Sequence, residues 1–275
     1  MNSRIAACLL VALSPLPAAA QQRPAVVSDE AFRVCGDPAN MPFSNRDEGG
    51  FENKIAELIA AEVKLPLRYF WMPQGPGFVR NTLGTKLCDV IIGYASGADP
   101  VQNTNAYYKS AFVLVTKTGG PLDGVDRLSD ERLKDKRIGL IAATPPSDYM
   151  LRYGLLPKAK SYPLIVDRRY DSPAEAMISD IVSGEIDAGI LWGPNGGWFA
   201  RQASTPLTVT ALTHETNGPP MSFRITFGIR HGELEWKRRL NELIAGRQGE
   251  IDKILLGYGV PLLDDQDRPI TKPRS

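Results

Sequence analysis

His214 and His231 are the only histidines in this chain of 275 residues. General acid and base work needs an imidazole or carboxyl held at a shifted pKa. Both histidines fall beside expected strands or turns, which gives them surface or structural roles. No G-x-S-x-G elbow, H-E-x-x-H pair or phosphate loop occurs. Asp47, Glu48 and Glu52 lie close together but lack the alternating oxygen ligands of a calcium loop, so they read as a solvated acidic stretch. Arg168-Arg169 and Arg238-Arg239 read as ordinary charge pairs. The chain therefore reads as a non-enzyme with no metal site and no cofactor. The chemistry left is recognition, and the groups suited to it are largely aromatic and apolar: Asp37, Asn40, Met41, Phe43, Trp71, Phe78 and Tyr94 in the first half, and Thr144, Tyr149, Trp192 and Trp198 in the second. Trp and Tyr give a large contact area with a polar handle.

Alternating elements must position these groups. FRVC (32–35) is a strand that runs into the turn formers GDPAN, Pro42, Ser44 and Gly49-Gly50. Phe51, Ile55, Leu58, Ile59 and Val63 then recur at helical spacing. Strands at Leu67–Trp71 and Asp89–Gly93, with a short helix near 78–83 between them, complete a βαβαβ series, which predicts a parallel sheet. An apolar strand follows at Ala111–Thr116. A second series has strands at 137–142, 162–166 and 187–192 and helices at 145–153 and after the Ser172-Pro173 start. GILWGPNGGWFA reads as a pliable loop holding Trp192 and Trp198. Two strands, 207–213 and 223–229, precede two closing helices near 233–245 and 247–256, which must pack on the first unit. The chain then crosses between units twice, near 112–117 and 217–223, which makes a hinge and a cleft. The expected division is an α/β protein with lobe 1 formed by 21–114 and 220–275, and lobe 2 by 115–219. Strand ends of such sheets are where ligands sit, so the loop after FRVC is expected to form a cleft rim.

MNSRIAACLLVALSPLPAAA has a basic start, a short apolar run and a small-residue end, the pattern of a secretory signal peptide over residues 1–20, cleaved near Ala20. The run is too short for a permanent anchor. The chain has 32 basic and 31 acidic residues. Without Arg4 the mature chain balances at 31 each, which argues against nucleic acid or an anionic membrane as the main partner. Cys8 leaves with the leader, and Cys35 and Cys88 form an even pair suited to a disulfide in an oxidising compartment.

RVCGDPANMPFSN, GFENKIAELIA, GFVRNTLGTKLCDVIIGY and YYKSAFVLVT resemble the MoxJ and XoxJ proteins of methanol oxidation, within the solute-binding proteins of ABC transporters. The likeness spans almost the whole mature chain. It implies a two-lobed, type II periplasmic-binding-protein fold. It also implies a periplasmic partner that helps mature or activate a methanol dehydrogenase using pyrroloquinoline quinone, with the lanthanide-dependent XoxF type favoured. Nothing in the sequence demands more than a monomer.

Amino-acid-binding members of the broad family have an Arg after the third strand that clamps the ligand carboxylate, where Lys cannot supply the same paired hydrogen bonds. Here no Arg occurs between Gly93 and Lys109. In IAATPPSDY, Thr144 remains, but Pro145 and Pro146 lack the N–H groups an anion site needs. Free amino acids are therefore poor ligands. A receptor for a small neutral solute is the alternative reading, and a carboxylate-processing enzyme ranks last.

Overall fold

The computed structural model describes residues 27–274, and the expected leader lies outside the described residues. In chain order come β1 (Phe32–Gly36), β2 (Ala39–Asn40), β3 (Ser44–Asn45), α1 (Phe51–Val63), β4 (Leu67–Trp71), α2 (Phe78–Asn81) and β5 (Ile91–Ala95). β1 and β4 are parallel, and Val34 bridges Val90 in parallel just before β5. α1 puts Phe51, Ile55 and Ile59, all fully buried, against Phe32 and Val34 of β1.

The apolar run at 111–116 proves to be the end of one long strand, β6 (Gln102–Lys117). Its first half, QNTNAYYKS, is polar and aromatic and carries no alternating apolar signal. The half is nonetheless held in place: the Asn103 side chain accepts from Gly97 N at 2.9 Å and donates to Thr226 Oγ1 at 2.9 Å.

The second series is β7 (Ile138–Ile141), α3 (Pro146–Arg152), β8 (Lys160–Tyr162), α4 (Pro173–Ser183) and β9 (Ala188–Trp192). β8 stops at Tyr162, four residues short of the expected strand. Pro163 has no N–H for a ladder, and Leu164 and Ile165 are 47% and 73% exposed.

The remaining elements are α5 (Gly193–Gln202), β10 (Leu207–Ala211), β11 (Ser222–Ile229), α6 (Leu234–Gly246), α7 (Gln248–Gly257), β12 (Leu262–Leu263) and β13 (Pro269–Ile270). β11 is antiparallel to both β5 and β6; β7 lies parallel to β8 and β9; β9 and β10 flank the far end of β6. β6 changes partners at one point: Ala111 is opposite Ser222 of β11, and Phe112 is opposite Trp192 of β9. The chain returns between β10 and β11. Leu240, Leu243, Ile251 and Leu255 of α6 and α7 bury themselves in the same core as α1, as expected for helices with no sheet of their own.

α5 corrects the reading of GPNGGWFA as a pliable loop. Its glycines are there for close approach. A Cβ at Gly197 would overlap the carbonyl oxygen of Gly259, and one at Gly196 would stand 2.5 Å from Val113 Cγ2. Arg201, at the far end of α5, donates to the carbonyls of Leu256 and Gly257 at 3.0 and 2.9 Å, which cap α7. Gly197→Ala is expected to cost about 2 kcal/mol through overpacking, which lowers the thermal midpoint by about 4–8 °C for a chain of this size. Gly246→Ala, where an added Cβ meets nothing, is the calorimetric control and is expected to leave it unchanged or slightly raised.

Candidate functional site

The loop after β1 is built onto the start of α1. The first helical N–H groups have no partners inside the helix, and here the loop supplies them. Pro42 O accepts from Phe51 N at 2.8 Å and Phe43 O accepts from Glu52 N at 2.9 Å. Asn53, fully buried, accepts through Oδ1 from Gly50 N at 3.0 Å and from Asn45 N at 3.2 Å. A Cβ at Gly50 would overlap the Phe43 carbonyl. The turn formers are therefore what lets the loop carbonyls reach the helix end.

Asp37 lies just inside this loop, 1% exposed. It accepts from Ala39 N at 2.9 Å and Gln74 N at 2.7 Å, and Arg168 Nη1 reaches it from the β8–α4 loop at 3.2 Å. Arg168 also donates to the Gln74 carbonyl at 3.1 Å. Arg168 is thus a tie between the two halves of the molecule rather than an ordinary surface charge. Arg169 pairs with its neighbour Asp167 and lies over the Tyr170 ring, 5.4 Å from its centroid.

Between the halves lies a cleft of about 700 Å³. Its floor at the β6 crossing is aromatic. Phe112 and Trp192 are edge to face with centroids 5.5 Å apart, and Phe223 stands 5.9 Å from Trp192. Tyr108, Phe199 and Ile225 extend this apolar lining. Of the residues expected at the site, the cleft brings together Asn40, Met41, Phe43, Tyr94, Thr144 and Trp192. Asp37 sits behind its wall.

Four expected residues lie elsewhere. Trp71 stacks on Tyr69 with centroids 4.3 Å apart, over Gly36. Phe78 is packed with Cys35, Cys88 and Ile91. Tyr149 is 1% exposed, and its hydroxyl donates to Pro219 O at 3.0 Å. Trp198 turns outward on α5 and stacks on Tyr258 at 5.1 Å.

Glu52 overturns its assignment to a solvated acidic stretch. It is 8% exposed and lines the cleft floor, whereas Asp47 lies exposed at the mouth. A carboxylate is favoured at a helix N-terminus, but burial wins here. It pushes the Glu52 carboxyl up to about 8, and the negative charge of Asp37 adds to the shift. The signal in the sequence was Phe51-Glu52 opening an amphipathic helix, which places Glu52 beside a core residue. Among the described residues, no group of three or more His, Cys, Asp or Glu is placed to hold a metal ion. No helix among them is long and apolar enough to cross a membrane.

A seven-stranded sheet whose long strand β6 changes partners at mid-length, with a cleft at that point, is the architecture of a periplasmic-binding-protein fold. No family model matches the chain. The crystal structure of the periplasmic binding protein XoxJ from Methylobacterium extorquens AM1 is 44% identical, with a TM-score of 0.74 over 86% of this chain and all of that one. The MoxJ protein of Methylorubrum extorquens is 28% identical over 279 residues, 92% of each chain, and MoxJ of Paracoccus denitrificans is 26% identical over 255 residues, covering 87% of this chain and 92% of that protein. The chain belongs to the MoxJ/XoxJ family of periplasmic binding proteins, which is related to methanol oxidation.

Proposed function

We propose that this protein binds a methanol dehydrogenase that uses pyrroloquinoline quinone and helps to mature or activate it in the periplasm. The higher identity to XoxJ than to MoxJ favours an XoxF-type enzyme as partner. The observation that carries the reading is the cleft, whose floor is aromatic and holds no free guanidinium. Arg46 is exposed at its edge and Arg168 is taken up by Asp37. Such a surface suits apolar side chains of a protein segment better than a carboxylate metabolite. In this account the leader is removed near Ala20. Lobe 1 comprises 21–114 with 220–275 and lobe 2 comprises 115–219, a division supported by the partner change of β6 at Ala111 and Phe112. The protein acts as a monomer.

Capture of the dehydrogenase by immobilised protein tests this. Trp192→Ala combined with Leu164→Ser, both on the cleft, is expected to weaken capture at least tenfold. Trp198→Ala, outside it, leaves capture unchanged. Equal capture by all three proteins would sink the assignment of the cleft. The second reading, a receptor for a small neutral solute, draws on the Arg168–Asp37 tie across a cleft whose volume falls in the range of small-molecule sites. A metabolite co-purifying in the cleft would favour it.

A further inference from the structure

Glu52 is the buried acid that the aromatic cleft does not explain. It is 8% exposed, and its carboxyl has no hydrogen-bond or ion-pair partner among the described residues. Other buried acids here are paired: Asp89 with Arg33 and Arg230, Asp252 with Arg274, Asp37 with Arg168. A buried carboxyl without a partner is costly, and this one faces the cleft rather than the core.

Its position is fixed from two sides. The N–H of Glu52 is bound by Phe43 O, and a Cβ at Gly93 would overlap Oε1. Gly93 is therefore the residue that leaves room for the carboxyl above β5. The surroundings select the sign of the ligand. Asp47, Asp171 and Glu175 also line the cleft with no ion pair among the described residues, against Arg46 alone, since Arg168 and Asp37 neutralise one another. Tyr108 and Phe43 supply aromatic surface beside the acid, which suits a cation with an apolar stem. Burial and Asp37 hold the empty carboxyl protonated near neutral pH. An entering cation displaces that proton and takes its place.

We propose that Glu52 is the recognition group for a primary ammonium on an alkyl stem, carried by a free amine or by a lysine of a bound segment. This goes beyond the dehydrogenase reading and does not depend on it.

Isothermal titration of the mature protein with pentylammonium chloride, and with a capped Ala-Ala-Lys-Ala-Ala peptide beside its norleucine counterpart, tests the proposal. Binding of at least one cationic probe is expected, at least tenfold tighter at pH 9 than at pH 6, because the carboxylate must be ionised. The norleucine peptide is expected not to bind. Glu52→Gln is expected to lose tenfold or more, and Gly93→Ala, whose methyl displaces the carboxyl, to weaken binding as well. Either variant that folds, as judged by circular dichroism, suffices for the comparison. Binding of the amine supports a free-solute source, and binding of the peptide alone supports a partner segment. No binding of either cationic probe at millimolar concentration overturns the assignment. So does norleucine binding equal to lysine, or undiminished binding by the folded variants.

Discussion

Glu52→Gln is expected to gain stability relative to the parent protein as pH rises from 4.5 to 8, by about 4 kcal/mol across that window. In the unfolded chain this carboxyl ionises near its ordinary value of 4.5, while in the folded protein it holds its proton to about 8. Between those values the unfolded state alone releases the proton, so parent stability falls with rising pH and levels off above 8. The span is 8 − 4.5 = 3.5 units; at 1.36 kcal/mol per unit the full effect is about 5 kcal/mol, of which about 4 falls inside the window because each state is half-titrated at its limit. The amide of Gln does not titrate, so its own burial cost is the same at both ends and cancels from the difference. Urea unfolding of both proteins at pH 4.5, 6 and 8 reads the effect directly. A difference that stays constant across the series would show that Glu52 is hydrated in the folded state. Below about pH 8 a bound cation must displace this same proton, which links the measurement to the ligand titration.

The second large effect lies at the disulfide. Cys35 and Cys88 are bonded across a sequence separation of 53, and both are buried. Closing a loop of that length restricts the unfolded chain by about 4 kcal/mol on the chain-entropy account. Replacing both by Ser is expected to lower the midpoint by about 8–16 °C for a chain of this size. The bond also holds functional ground. Gly36 and Asp37 follow Cys35 directly into the cleft loop, and Asp89 follows Cys88. Arg33 binds Asp89 with two hydrogen bonds of 2.7 and 2.8 Å, and Arg230 donates to Asp89 at 2.7 Å and to the Cys88 carbonyl at 2.6 Å. Both the stability and the geometry of the Asp37 loop should therefore loosen on reduction. A loss below about 1 kcal/mol in calorimetry of the double variant would mean that the arginines alone fix this corner.

What could be read in the sequence was what local periodicity and turn chemistry control. α1 ends where its apolar stripe does, α4 starts at its Ser172 cap with Pro173 at the first position, and the tandem α/β order is present as read. The cysteine pair was legible because compartment and count leave few alternatives.

Local rules failed where distant segments decide. GPNGGWFA looks like a loop because glycine is a poor helix former, yet its glycines are required by the Gly259 carbonyl and Val113, which the sequence does not place nearby. Tyr149 and Trp198 read as cleft residues because they follow strands closely, but Pro219 and Tyr258 draw them away. Arg168 meets Asp37 across 131 positions, and no spacing rule reaches that far. Glu52 reads as solvated because the acids before it, Asp47 and Glu48, sit in a loop where one is exposed and the other half-buried, whereas its helical phase turns it inward beside Phe51.

Whether the cleft serves a dehydrogenase is decided by methanol oxidation by the purified XoxF-type enzyme, measured as mature protein is added in increasing molar ratio. Saturable activation that reaches a plateau near one to one is expected, and its loss with the Trp192→Ala and Leu164→Ser variant. Activity that stays flat at every ratio, with both mature and metal-free enzyme failing to bind, would rule out a dehydrogenase as the cleft's partner.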